Sequence, residues 1–340
     1  MDLKHLLKRG ALLAAANWPT VAIQFIAETT FTVLLAVPMI GAAILVAVML
    51  GGDLADLLHG SLKEIFTTIA STLMAVPVAL VAFITAFSLV LFGGSLLLFL
   101  VKGGTVDVLI AAHKAAGPIE RQPLGFETLR GASRFSMDAF VEGCRRLFRP
   151  YLALGLALMA VYAVSFVGYL AFVAYGYRAA DGRALVIGWT LMAAMAAAIL
   201  LAWFRVVNLL YIVMQVAMAV DGVGVFDGAR STARFIRSEF RDLAGVFLVV
   251  VAMVIAATLT SALAWSGVGL IAFVPLVGIA VFPLQLLALL LRGLVFEYLG
   301  LTALGAYVTL YLGYAGRRAE AVNGSSITST LGPSGASAQA

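Results

Sequence analysis

Six long apolar runs decide what this chain can fold into: residues 31–50, part of 65–101, 151–174, part of 185–219, 243–264 and 284–313. A run of about 20 apolar residues matches a bilayer core about 30 Å thick. Inside hydrocarbon the backbone must satisfy its own polar groups, and a run of this length does so as a helix. The 340-residue chain is 63% hydrophobic and only 11% charged, far from the roughly 25% charged residues of soluble domains. A soluble fold would leave apolar surface in water, whereas lipid solvates it at no cost. The expected fold is therefore an all-α polytopic transmembrane helical bundle of about six spans.

The second and fourth runs, 37 and 35 residues long, would each exceed about 50 Å as a straight helix at 1.5 Å per residue. They must overshoot the bilayer, tilt or break. Pro77 and the Gly93-Gly94 pair mark the places for a bend in the second, because proline removes a backbone donor and glycine removes steric support. The remaining apolar piece, Gly267 to Phe282, has only 16 residues and contains Pro275. It reads as a re-entrant or buried hairpin leading into the sixth span.

Basic residues orient the chain. Three lie at the N-terminus (Lys4, Lys8, Arg9), eight in 102–150, four in 220–242 and two after the sixth span (Arg317, Arg318), against Lys63, Arg178 and Arg183 in the opposite loops. That asymmetry places both termini in the cytoplasm by the positive-inside rule. The net charge of +5 thus reports topology and not a nucleic-acid partner.

Two stretches one hundred positions apart share the pattern F-[ED]-x-x-R-x-x-x-R-F. One carries Phe126, Glu127, Arg130, Arg134 and Phe135; the other carries Phe226, Asp227, Arg230, Arg234 and Phe235. Phe140 and Glu142 match Phe240 and Asp242 at the same offset. Each stretch precedes an apolar run, so the repeating unit is an interfacial amphipathic helix followed by spans. Residues 125–220 and 225–315 form two parallel copies, with 2–102 a divergent third, in a single membrane domain over 1–318. The opening Leu3, Leu6, Leu7 pattern with Lys4, Lys8 and Arg9 suits an interfacial helix better than a signal peptide, and Trp18 follows as an aromatic anchor. The polar tail 319–340 is expected to be disordered.

In the motif helices the spacing permits Glu127–Arg130 and Asp227–Arg230 pairs at i,i+3 and contacts from Arg234 to Ser238. Phe135 and Phe140, like Phe235 and Phe240, are expected to dip into the interface while the arginines reach lipid phosphates. A structural elbow is favoured over a specific head-group site, because Asp227, Glu239 and Asp242 intersperse the second cluster.

Six polar residues fall inside the runs: Arg205, Asn208 and Gln215 in the fourth, and Gln285, Arg292 and Glu297 in the sixth. An ionised side chain at the bilayer centre costs about 2.5 kcal/mol or more. Arg205 and Glu297, each near the middle of its run, are the expected partners. Their pairing reads first as a device that fixes helix register and second as a polar cavity handling an ion, a proton or a lipid head group.

Catalytic signals are weak. His5, His59 and His113 lack metal-site spacing, and Cys144 is the only cysteine. Gly222-Val223-Gly224 and Gly267-Val268-Gly269 follow no strand and are not nucleotide loops. Ser71, Ser165 and Ser261 have no histidine within their spans to act as base. Asp53, Asp56 and Glu64 form a small acidic patch on the outer side, read as solvated.

From Val220-Asp221-Gly222 through Phe226-Asp227-Gly228-Ala229-Arg230-Ser231 to Arg241-Asp242-Leu243, the chain resembles the polytopic membrane domain fused to some bacterial glycerophosphodiester phosphodiesterases and related six-span bacterial proteins. The resemblance covers about twenty residues in motif and most of the chain in layout, and Gly228 departs from the bulkier residue usual there. It implies a helical module of the bacterial cytoplasmic membrane and transfers no catalytic residue. The resulting expectation is a non-enzymatic membrane protein without cofactors, serving membrane organisation or lipid-associated homeostasis. Its partners are membrane lipids, with a homo-oligomer or other membrane proteins left open. The alternative is a permease with a path between the fourth and sixth spans.

Overall fold

The computed structural model describes residues 2–50, 76–122, 125–180, 182–272 and 277–330. Among these residues the chain is helical throughout, with no strand. The helices are α1 (Leu3–Ala16), α2 (Trp18–Leu50), α3 (Pro77–Ala115), α4 (Phe126–Ala132), α5 (Met137–Ala179), α6 (Arg183–Asp221), α7 (Val225–Ala272) and α8 (Val277–Thr330), with a 3-10 turn at Ile119–Arg121. Six of them carry segments long and apolar enough to cross a membrane: Trp18–Ala42, Leu80–Ala115, Met137–Ala179, Leu185–Asp221, Val225–Ala264 and Pro283–Ala321. The chain has the architecture of a multi-pass membrane protein. Asp53, Asp56, His59, Lys63, Glu64, Ser71 and Pro275 lie outside the described residues, as do 331–340 of the tail.

The fourth run forms one unbroken helix, whereas residues 65–75 of the second lie outside the described residues and its helix starts only after Val76. Helix α6 has 39 residues, about 58 Å at 1.5 Å per residue, and is long enough as one piece to overshoot a bilayer core of about 30 Å. In α3, Pro77 is the first helical residue, where its missing N–H is no loss, and the helix continues through Gly93-Gly94. Gly94 serves packing: a Cβ there would lie 2.0 Å from the Phe31 ring.

The chain divides into two compact units, residues 23–102 and the remainder. In the larger unit, α1 runs antiparallel along α8. Gly10 touches the backbone of Thr302 and Ala306, Ala14 and Val21 pack on Leu301, and the Tyr298 hydroxyl donates to the Ala11 carbonyl at 3.1 Å. The apolar side of α1 is thus covered by α8. Leu6, Leu13 and Ala14 are almost fully enclosed, because the small residues Gly10, Gly305 and Ala306 let two backbones approach closely.

The spans are enclosed at one end only. Tyr151, Met218, Val246, Val308 and Tyr311 are buried, while Val164, Leu191, Leu259 and Leu287 are exposed. The most apolar window of α5 is 0% buried and that of α6 is 6% buried, so lipid and not protein must solvate these faces. Toward that open end α5 and α6 hold to each other through Trp189 tilted against Phe172 with ring centres 4.7 Å apart, Tyr177 bonded to Thr190 and Trp203 bonded to Ser165.

The two motif copies differ in backbone. After α4 the first copy leaves the helix over 133–136, and Ser136 caps α5 by accepting the Ala139 N–H at 3.2 Å. The second copy stays helical from Val225 to Ala272 and is kinked at Glu239 (φ −118°, ψ 24°). Sequence explains the divergence: Ser133 and Ser136 of the first copy are Ala233 and Ile236 in the second, and isoleucine has no oxygen with which to cap a helix.

Candidate functional site

The segments richest in basic residues gather at the enclosed end of the larger unit. Two clusters form there. The first surrounds α1. Arg9 donates from Nη1 to Glu120 Oε2 at 2.8 Å, from Nε to His113 Nδ1 at 3.2 Å and from Nη2 to the His113 carbonyl at 3.2 Å. Lys8 reaches the Glu120 carbonyl at 2.6 Å, and Thr309 of α8 meets the same His113 nitrogen at 3.2 Å. Both members of the Arg9–Glu120 pair are less than 15% exposed. Burial pushes the Glu120 carboxyl upward, but its own backbone N–H and the Arg9 guanidinium outweigh that and hold it below the usual carboxylate range. About two turns further along α1, the buried Asn17 side chain accepts from the N–H groups of Arg134 (2.9 Å) and Phe135 (3.1 Å) and donates to the carbonyls of Leu13 (3.0 Å) and Ala132 (3.4 Å). It ties the break after the first motif copy to the end of α1.

The second cluster is an open cleft of about 550 Å³ at the turn between α6 and α7, lined by Asp221, Asp227, Arg230, Ser231, Arg234 and Arg318. Gly222 makes the turn in the left-handed region (φ 66°), which glycine adopts without strain. Tyr311 donates to Asp221 Oδ2 at 2.8 Å, and Arg230 pairs with Asp227 at 3.3 Å. Arg234 bonds to Ser231 Oγ at 3.3 Å and to the Arg230 carbonyl at 3.4 Å. Both acids of the cleft are thus engaged, and the ion pairs of the described residues include neither Arg234 nor Arg318. Behind it Phe235 stacks edge-on against Tyr311 at 5.1 Å and Tyr314 at 5.4 Å, and Arg317 binds Glu239.

Of the expected i,i+3 pairs, Asp227–Arg230 forms, while the ion pairs of the described residues do not include Glu127 with Arg130. Arg234 turns to Ser231 and not to Ser238, whose hydroxyl donates to the Phe235 carbonyl. The aromatic positions split. Phe126 and Phe226 are 92% and 86% exposed, Phe235 is fully buried and Phe140 nearly so, and Phe240 is exposed. Phe235 therefore faces protein and not lipid.

Inside the spans, Arg292 lines a described cleft whose described lining includes none of the other five polar residues. Arg205 is exposed on α6, Asn208 half-buried and Gln215 buried, the Gln215 carbonyl accepting from Tyr151 at 2.8 Å. On α8, Gln285 and Glu297 are half-buried and Arg292 is exposed over the Phe296 ring at 5.7 Å. Helices α6 and α8 touch, but Arg292 opens onto a different space, a cleft between α7 and α8. Among the described residues no group of three His, Cys, Asp or Glu could hold a metal ion.

Sequence reasoning missed Arg9, Asn17, His113, Glu120 and Tyr311. Asn17 was detectable: asparagine followed by Trp18-Pro19 is a helix-end signal. The Arg9–Glu120 link joins residues 111 positions apart, and nothing local announces it. Comparison with known proteins finds no matching family model, no matching curated protein and no matching solved structure.

Proposed function

We propose that this chain is a non-enzymatic integral membrane protein, of the bacterial cytoplasmic membrane as the family resemblance implies, whose basic end faces the cytoplasm and holds anionic lipid head groups. The observation that carries this reading is the cleft at the α6–α7 turn. Its two carboxylates are occupied by Tyr311 and Arg230, which leaves Arg234 and Arg318 to present positive charge. The cleft sits where α6 leaves its apolar run, which is the level of lipid phosphates when the run spans the core. Guanidinium groups bind phosphate oxygens in a bidentate manner. An oriented set of this kind would bias the lipids around the bundle, a role in membrane organisation.

The test is reconstitution into nanodiscs of neutral lipid and of lipid containing phosphatidylglycerol. Anionic lipid should raise the unfolding midpoint of the parent protein, and Arg234→Gln with Arg318→Gln should abolish the gain. An unchanged gain in the double variant overturns the reading. The permease alternative needs a polar path between the fourth and sixth spans, and flux of a solute in proteoliposomes would favour it instead.

A further inference from the structure

Helices α7 and α8 run antiparallel and are joined at the basic end by Phe235 against Tyr311 and Tyr314. Nearer the open end they part around a cleft of about 410 Å³. Its walls include small residues, Ala257 and Ala264 on α7 and Ala288 on α8, with Leu289 and Val295 adding apolar surface and Ser261 a hydroxyl. Among the described residues of the lining, Arg292 is the only charged one.

The position of Arg292 is the anomaly. It lies within the apolar stretch of α8, fifteen residues beyond Val277 where that helix begins, and so about 22 Å along the helix at 1.5 Å per residue. That depth is inside hydrocarbon. A guanidinium there is costly unless it meets an anion or reaches water, and for that reason an intramembrane charge marks a functional site by default. The Phe296 ring polarises toward the cation at 5.7 Å without neutralising it. The ion pairs of the described residues do not include Arg292. The cleft therefore offers one buried-depth cation at the edge of an apolar slot.

We propose that this cleft binds one long-chain carboxylate, a fatty-acid type of ligand, with its carboxylate on the Arg292 guanidinium and its chain lying over Ala257, Ala264 and Ala288. Charge complementarity selects an anion, and the apolar walls select an alkyl chain. Depth selects the carboxylate over a phosphodiester. A carboxylic acid can cross into hydrocarbon in its neutral form and ionise only on meeting the cation, whereas a lipid phosphate remains charged and is held at the surface. The volume is at the lower end of the range of about 300–1,000 Å³ for small-molecule sites, which suits a single chain. This site is separate from the arginine cleft at the α6–α7 turn and does not depend on it.

The test uses the full chain in nanodiscs of neutral lipid with three spin-labelled probes: stearate, its methyl ester and phosphatidic acid. Electron paramagnetic resonance reads the motionally restricted fraction of each. The parent protein should bind stearate about tenfold more tightly than the ester, a difference of about 1.4 kcal/mol, and should not prefer phosphatidic acid over stearate. Arg292→Gln should remove the preference, and Arg292→Lys should keep part of it. Ala288→Leu fills the slot while leaving the cation, so it should weaken stearate binding and also decides the matter should Arg292→Gln fail to fold. Equal binding of stearate and ester by the parent overturns the proposal, as does preference for phosphatidic acid or unchanged binding in Ala288→Leu.

Discussion

Replacing Asn17 with alanine should release the joint between the first motif copy and α1. The side chain is fully enclosed and serves four backbone groups at once. Removing it leaves the Leu13 carbonyl with the Asn17 backbone N–H at 3.2 Å, so that acceptor is not stranded. The N–H groups of Arg134 and Phe135 and the carbonyl of Ala132 lose this partner. A buried polar group left unsatisfied costs about 1–3 kcal/mol. Arg134 and Phe135 are only part-buried, and water recovers some of the loss, so the expected destabilisation is about 2–4 kcal/mol. Equilibrium unfolding of the purified protein in mixed micelles measures it. Tryptic cleavage after Arg130 and Arg134 is a second readout, because the freed segment should become a substrate before global unfolding. If Asn17→Ala unfolds within about 0.5 kcal/mol of the parent and its cleavage rate is unchanged, the side chain is not the tie.

Gly10→Ala should destabilise by at least about 1–3 kcal/mol in the same unfolding assay, since its Cβ would lie 2.3 Å from the Thr302 carbonyl oxygen and 2.8 Å from the Ala306 nitrogen, backbone atoms that cannot step aside. Glu120→Gln should cost about 1.5–3 kcal/mol near neutral pH by weakening charge-assisted bonds to Arg9. The folded Glu120 carboxyl titrates below its ordinary range, so its stabilisation is full above that range and fades as pH falls through the folded value. Denaturation from neutral to acidic pH should show that component in the parent and lose it in Glu120→Gln. Ser136→Ala should cost about 1 kcal/mol through the lost cap on α5, whereas Ile236→Ala, at the matching position, should show no capping loss. Reporter fusions at Gly182 and after Arg318 should report opposite sides of the membrane, and the same side for both would refute the proposed orientation.

The helical class and the six crossings were legible because hydrophobicity is a local property summed over a window. Lipid imposes the same demand on every residue of a run. The connections were less legible, for a reason visible in the two motif copies. Ten positions repeat the same pattern, yet one copy breaks at 133–136 and the other continues as α7. The deciding residues are those the pattern leaves unspecified, Ser133 and Ser136 against Ala233 and Ile236. A shared motif fixes the charged and aromatic positions; the cap fixes the backbone.

The intramembrane residues show the complementary limit. Their cost in hydrocarbon is evident from sequence, which is why Arg205, Arg292 and Glu297 stand out, but cost names no partner. What surrounds each is set by where neighbouring helices touch, and here that depends on small residues. Where Gly10 meets Gly305 and Ala306, backbones close together and the core is dense. Where Ala257, Ala264 and Ala288 face one another across α7 and α8, a cleft remains beside Arg292. The same class of residue thus seals the bundle at its basic end and opens it deeper in the membrane. The difference is the third helix: α1 lies against α8 at the first level, touching Tyr298, Leu301, Thr302 and Ala306 and reaching Gly245 of α7 through Leu3. At the Arg292 cleft the described lining comes from α7 and α8 and includes no residue of α1.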